Sequence, residues 1–175
     1  MARHRRAMSS GDAATDEARQ QPMTKKDQIM EQTYNFTTCR AICAELENKL
    51  GVYNWREVIE ELKDGATDFE VAGYRFIATD DLDEIMRDEL ASDEYVLGCF
   101  FPSFLSGILD MDQDAIQKIQ DAAPEALGHL IIAKGALHHL QREYVSADGY
   151  GHHFAHYDGD EWEMSSFPFS AFRVN

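Results

Sequence analysis

Residues 69–77, which read FEVAGYRFI, decide the fold class of this sequence because they alternate apolar and polar side chains in a chain with otherwise helical spacing. A two-residue turn at Ala72 and Gly73 would make the two halves an antiparallel hairpin. That turn sets the cross-strand neighbours as Phe69 with Phe76, Val71 with Tyr74, and Glu70 with Arg75. One register thus produces an apolar face and a complementary charged pair on the other face, and the segment predicts a β-hairpin.

Helical patterns lie on both sides of this hairpin. Apolar residues recur every three or four positions, which is the spacing of one helix face. The pattern predicts helices over residues 36–50, 54–63 and 80–90, from residue 92 or 93 to about 100, over 102–109, after Asp112, and over 124–144. The boundaries rest on caps at Asn54, Thr79 or Asp80, Ser92 or Asp93, and Asp112, and on Gly51 and Gly65 after helix ends. Residues 124–144 are predicted as one long helix that begins at Pro124.

The C-terminal residues favour strands again. Residues 150–157 and 160–164 flank Asp158-Gly159, which is a strong signal for a hairpin turn, and a last strand is expected near residues 171–175. The strands then come from two distant stretches of the chain. The predicted fold class is therefore α+β: a mainly helical single domain with a small antiparallel β-sheet.

The charge of the chain is strongly negative and uneven. Its 175 residues include 32 Asp or Glu and 16 Lys or Arg, which gives a formal net charge of −16. Residues 1–28 carry six basic and four acidic side chains and no aromatic residue, so we expect a flexible N-terminal extension there. Residues 29–175 then form a single acidic domain with a net charge of −18. Such a domain repels nucleic acids and anionic lipids, which bind through Lys and Arg, so direct binding to either is not expected.

Acidic residues are concentrated before residue 95. Residues 57–94 hold 14 acidic and three basic side chains, and Asp80, Glu84 and Asp88 recur every four positions. On one helix these three carboxylates would form a line with about 6 Å between neighbours, similar to the phosphates of a nucleic-acid strand. The line is either a solvated face that keeps the protein in solution or a contact surface for a basic partner. The candidate binding residues are Asp80, Asp81, Glu84, Asp88, Glu89, Asp93 and Glu94.

A histidine-rich stretch, GYGHHFAHY at residues 149–157, is the other candidate site. On a strand, His152 and His156 share a face about 13 Å apart and His153 points the opposite way, so these three alone do not hold one zinc ion. Metal binding by His152, His153 and His156 with a histidine from elsewhere in the chain, such as His129 or His138, remains an alternative hypothesis. The predicted hairpin places His156 opposite Glu161, and the carboxylate would favour the protonated imidazole. His156 would then be part of a pH-sensitive pair or act as a general acid or base. The competing interpretation is an exposed polar pair with no function.

Familiar catalytic and cofactor motifs are absent from the sequence. It contains no phosphate-binding loop, no nucleophile elbow and no zinc-binding His-Glu-x-x-His helix, so no cofactor is predicted and a non-enzymatic protein is favoured. The longest uncharged run, residues 95–109, is shorter than the roughly 20 residues of a membrane-spanning helix. Three cysteines (Cys39, Cys43 and Cys99) cannot all pair within one chain, which indicates a reducing cytoplasm.

The segments DGYGHHFAHYDGDEWEM and AFRVN, with YRFI and DELASDEYVLGCF before them, resemble short uncharacterised proteins of bacteriophages and prophages. The resemblance covers about the last two-thirds of the chain. It implies a phage or mobile-element origin and a location in the host cell cytoplasm, and it carries no activity over to particular residues.

Charge and resemblance together lead to one main hypothesis. The protein is expected to be an acidic inhibitor that imitates nucleic acid and blocks the basic surface of a nucleic-acid-handling protein of the host, such as a defence protein. Two alternatives remain open. One is a small enzyme or metal-binding protein centred on the histidine-rich stretch, and the other is a structural or virion-associated protein.

Overall fold

A four-stranded antiparallel sheet lies between two groups of helices in the computed structural model, which describes residues 36–175. The predicted extension at residues 1–28 lies outside the described residues. The strands are β1 (Asp68–Val71), β2 (Tyr74–Ala78), β3 (Glu161–Glu163) and β4 (Phe169–Arg173), in the order β1-β2-β4-β3. The fold class predicted from the sequence, mainly helical α+β with a small antiparallel sheet, is confirmed.

Nine α-helices occur within residues 36–175. They are α1 (Phe36–Glu45), α2 (Trp55–Asp64), α3 (Leu82–Ser92), α4 (Glu94–Gly98), α5 (Pro102–Leu109), α6 (Gln113–Ala122), α7 (Pro124–Ala133), α8 (Leu137–Asp148) and α9 (Gly151–Phe154). A π-helical segment, Leu46–Leu50, extends α1. The predicted ends at Gly51 and Gly65 are confirmed, since both glycines adopt the left-handed conformation after a helix.

The β1–β2 hairpin has the predicted register. Its cross-strand partners are Phe69 with Phe76, Glu70 with Arg75, and Val71 with Tyr74. Ala72 and Gly73 have φ values of 53° and 81°, as a type I′ turn requires. The predicted charge pair is wrong in one respect, because the Arg75 guanidinium bonds to Asp68 and Glu89 rather than to its cross-strand neighbour Glu70.

Two hydrophobic clusters cover the two faces of the sheet. Phe76 belongs to the first cluster, with residues of α1 and α2 such as Ile42 and Val58. Ile77, the next residue, belongs to the second cluster, which residues of α3 to α9 complete. Successive residues of a strand point to opposite faces, so β2 joins the clusters through two adjacent side chains.

The predicted long helix over residues 124–144 is two helices, α7 and α8. The backbone N–H of Gly135 donates to the Ile132 carbonyl, and that of Ala136 donates to the Ile131 carbonyl. These bonds, with φ at 65° for Gly135, form a Schellman motif, which ends a helix. The apolar period continues across the break because both helices pack on the same cluster.

The predicted hairpin over residues 150–164 is also wrong. Its first half contains the helical turn α9, and β3 pairs with β4 instead. Glycine at position 151 lets this turn approach the segment before β3, since a methyl group there would lie 2.0 Å from the Gly159 carbonyl oxygen. The last strand, expected near residues 171–175, spans Phe169–Arg173.

The Glu45 carboxylate connects α1 to the turn before β4. Its oxygens accept hydrogen bonds from the backbone N–H of Ser165 (2.8 Å) and Ser166 (2.7 Å) and from both serine hydroxyls, and Lys49 Nζ lies 2.8 Å away. Burial alone raises the pKa of Glu45, but the bonds from Lys49 and the two serines together hold it well below its usual range. The anion therefore stabilises the fold.

We predict that Glu45→Gln lowers the free energy of unfolding at pH 7 by about 2 to 3 kcal/mol, because an amide nitrogen would face hydrogen-bond donors. Because folding lowers the pKa of Glu45, this contribution is complete above the ordinary carboxyl pKa and is lost as the pH falls below about 4. Urea denaturation of the wild type and the variant, at pH 7 and again below about pH 4, measures the difference in unfolding free energy. Glu47→Gln, on an exposed position one residue into the π-helical segment, is the matched control and should have little effect.

Helices α4 and α7 approach each other backbone to backbone. A methyl group at Gly98 would lie 1.8 Å from the Pro124 carbonyl oxygen, and one at Gly128 would lie 2.0 Å from the Glu94 carbonyl oxygen. Only glycine permits so close a contact. The crossing fixes the position of α4 and turns its other side outward.

Gly128→Ala should therefore destabilise the protein by about 1 to 3 kcal/mol, because the added methyl group clashes with rigid backbone. Gly107→Ala, on α5 with no atom within 4 Å of the added methyl group, is the control. It should be neutral or stabilise the protein by up to about 1 kcal/mol through helix propensity. Equal effects of the two substitutions in thermal or urea denaturation would contradict the tight crossing.

Candidate binding surface

Helix α3 carries most of the predicted binding residues and has three distinct sides. Its buried side, which includes Leu82, Met86 and Leu90, packs in the second cluster. A second side faces α8: the Asp83 carboxylate accepts a hydrogen bond from Gln141 Nε2 (2.6 Å), and Arg87 donates to Gln141 Oε1 (3.0 Å). The third side faces solvent and is acidic.

Four of the seven predicted acids form this solvent-facing group. Asp80, Glu84 and Asp88 are exposed, and Asp81 is half-buried. Within the described part of the chain, none of the four carboxylates has a salt-bridge or hydrogen-bond partner. We call Asp80, Asp81, Glu84 and Asp88 the acidic surface.

The expected line of Asp80, Glu84 and Asp88 along one helix is wrong in detail. Asp80 precedes α3, which starts at Leu82, because the Thr79 N–H still donates to the Pro168 carbonyl (3.0 Å) beside the sheet. The three residues that share the outer side are instead Asp81, Glu84 and Asp88, at spacings of three and four. The carboxylates remain neighbours on one side of the helix.

The other three predicted acids serve the fold. Asp93 caps α4 by accepting the Val96 N–H (3.0 Å), as predicted for one of the two candidate caps. Glu94 lies 2.7 Å from His129 Nδ1 on α7. Glu89 contacts both Arg75 and His153, and it is therefore the centre of a partly buried network.

That network begins at Arg75 on β2. Its guanidinium donates to Asp68 (2.8 and 2.6 Å) and to Glu89 Oε1 (2.6 Å), and it lies 5.1 Å from the centre of the Phe154 ring. The hydrogen bond to Asp68 raises the pKa of Arg75 most, burial opposes this, and the bond to Glu89 adds to it. Arg75 thus connects the sheet, α3 and α9.

His153 completes the network. Its Nε2 lies 3.0 Å from Glu89 Oε2, and its ring contacts the rings of Tyr144 and Phe154. Burial lowers the pKa of His153, while Glu89 opposes that shift and Arg75 adds to it. The neutral ring, with its proton on Nε2, can donate to Glu89 without carrying charge. Sixty-four positions separate the two residues, so no local sequence pattern points to this pair.

The other histidine-site residues are not brought together. His156 is exposed, and its backbone N–H donates to the Arg173 carbonyl (2.9 Å). Glu161 Oε1 instead accepts a hydrogen bond from the Ser170 hydroxyl (2.7 Å). His152 is exposed beside the Tyr144 ring. In residues 36–175, no group of three His, Cys, Asp or Glu side chains is arranged to hold a metal ion.

A second hydrogen-bonded group supports the same helix. The Tyr150 hydroxyl donates to Asp83 Oδ1 (2.6 Å), the oxygen that also accepts from Gln141. Burial, followed by the Asp83 carboxylate, raises the pKa of Tyr150 to about 12. Asp83 and Glu89 therefore attach α3 to the fold from two sides and leave its outer side to solvent.

Comparison with known proteins adds no relative: no family model matches the sequence, and no curated protein or solved structure shows significant similarity. Across residues 36–175, every helix falls short of the length and apolar character that crossing a bilayer requires.

The position of His153 predicts a pH dependence. Because folding lowers its pKa, the unfolded chain binds the proton more readily, and stability is lost as the pH falls below about 6.5. His153→Gln retains a donor for Glu89 but does not titrate. The wild type should therefore be more stable than this variant at about pH 8, and the difference should narrow towards about pH 5. Urea denaturation across this range measures it, with the exposed His138→Gln as the control for loss of an imidazole.

A difference that widens as the pH falls would contradict this prediction, because it would mean that the fold favours the protonated ring. An equal narrowing for the His138→Gln variant would also contradict it, since the effect would not then depend on the contact with Glu89.

Proposed function

We propose that this protein is an acidic, non-enzymatic inhibitor that blocks the basic nucleic-acid-binding surface of a host protein, such as a defence protein. The observation that carries the proposal is that the acidic residues of α3 and its flanks fall into two groups, one bonded within the fold and one directed to solvent. Asp83, Glu89 and Asp93 are used within the fold, whereas the acidic surface has no partner in the part of the chain that the structure describes.

The free energy of the isolated molecule does not favour such an arrangement. Carboxylates three and four positions apart on a helix repel one another and destabilise it by a few tenths of a kcal/mol per pair. The only basic residue of α3, Arg87, could relieve this repulsion but is directed to Gln141 on α8. A basic partner would remove the repulsion and gain salt bridges.

The charge of the whole chain supports the same partner. A net charge of −16 attracts basic proteins over a distance and speeds their association. Salt screens this attraction, with a Debye length of about 10 Å at 0.1 M. Binding that depends on the acidic surface should therefore be fast at low salt and much slower at high salt.

The sequence resemblance supports the biological setting. A phage protein that is made in an infected bacterium shares the cytoplasm with host proteins that handle nucleic acid and carry basic surfaces. A small acidic protein that occupies such a surface needs neither an active site nor a cofactor. The proposed location is accordingly the host cell cytoplasm.

We predict that neutralising Asp81, Glu84 and Asp88 together (to Asn, Gln and Asn) weakens capture of basic bacterial proteins by at least about tenfold, which corresponds to roughly 1.4 kcal/mol. The matched control neutralises Glu57, Glu60 and Glu61, which are exposed on α2, and so changes the net charge equally. The assay is affinity capture from bacterial extract at low and high salt, with identification by mass spectrometry. Competition with labelled DNA for the captured protein follows.

Equal losses for the two triple variants would mean that total charge, not the acidic surface, determines binding. Capture that resists high salt, or a captured protein that binds DNA normally in the presence of this protein, would contradict the proposed mechanism.

A further inference from the structure

Helix α4, which follows α3 after Asp93, exposes an apolar side. Tyr95 and Val96 are 54% and 46% exposed, and Phe101, shortly after the helix, is 80% exposed. Contact with a partner that removes these apolar side chains from water would be favourable. We call Tyr95, Val96 and Phe101 the apolar surface.

The fold dictates which side of α4 is exposed. Leu97 and Gly98 are buried, and the Gly98–Pro124 and Gly128–Glu94 contacts hold the helix against α7. Tyr95 and Val96 therefore cannot turn inward without breaking the crossing. A fixed aromatic side chain loses little conformational entropy when a partner covers it, and this is typical of residues that dominate binding energy.

The charges around the apolar surface are acidic. Neither α4 nor α7 contains a Lys or Arg, and no such residue occurs from residue 88 to residue 117. Asp93 immediately precedes α4. Glu125 lies in the first turn of α7, the helix that crosses α4.

This charge pattern indicates which kind of partner fits the apolar surface. A second copy of the chain would bring the same acids against these acids, and like charges across an interface are costly. A basic protein segment with apolar side chains would satisfy both the acids and the exposed aromatic rings.

We infer that the apolar surface is the anchor for a basic, amphipathic segment of a partner protein, with the acidic surface on α3 binding its Lys and Arg side chains. This inference rests on the proposed function and narrows it to a partner class. Pure nucleic-acid imitation needs only the carboxylates, whereas this surface adds apolar contacts that nucleic-acid phosphates do not offer. The partner's contact segment then carries Leu, Phe or a similar residue among its basic side chains.

Two labelled peptides of equal length and equal positive charge test the inference against the full chain. One has Lys and Leu at helical spacing, and the other has Ser in place of each Leu. We expect the Lys–Leu peptide to bind about tenfold more tightly in fluorescence anisotropy, as for contacts with a dominant aromatic residue. The double variant Tyr95→Ser/Val96→Ser should reduce its affinity to that of the Lys–Ser peptide.

The matched control is Tyr53→Ser, which removes an aromatic ring that is 74% exposed in the loop between the π-helical segment and α2. It should leave both affinities unchanged. Because the substituted side chains are exposed, we expect all variants to unfold at the wild-type urea concentration, and this measurement accompanies each titration.

Three outcomes would overturn the inference, and they separate it from the proposed function. Equal binding of both peptides, lost when Asp81, Glu84 and Asp88 are neutralised, would leave the acidic function and remove the apolar anchor. Tighter binding of the Lys–Leu peptide that Tyr53→Ser reduces as much as the double variant would show nonspecific apolar contact. Binding of neither peptide at low salt would contradict the inference and the proposed function together.

Discussion

The Arg75 guanidinium holds three parts of the structure in one place. It bonds to Asp68 on the edge strand and to Glu89 on α3, and it lies against the Phe154 ring of α9. A half-buried cation of this kind needs its anions, because an unpaired charge away from water costs several kcal/mol. The orientation of α3 relative to the sheet follows from this requirement.

That orientation separates the acids of α3 into two groups. Glu89 is turned towards Arg75 and His153, and Asp83 is turned towards Gln141 and Tyr150. Their neighbours on the remaining side have no basic residue within reach in residues 36–175. The same contacts that stabilise the helix therefore leave unneutralised charge on its outer side.

Local interactions explain which elements could be predicted. The β1–β2 register follows from nine consecutive residues, since a two-residue turn determines every cross-strand pair. The caps at Asp93 and Asp112 likewise depend on residues three positions apart. The helical turn at His153 is not predicted by local patterns, because its contacts with Glu89 and Tyr144 and the close approach of Gly151 to Gly159 join residues that are not neighbours in the sequence.

By itself, the sequence determined the α+β class, the excess of acid before residue 95 and the helix that carries it, because spacing and composition are local properties. Only the tertiary structure decided which carboxylates are available to a partner. Glu84 and Glu89 are chemically identical and lie on one helix, yet Glu89 faces Arg75 across the interface with the sheet and Glu84 faces water. The sequence determines the charge of each side chain, but the tertiary structure determines which distant residues lie beside it and neutralise it.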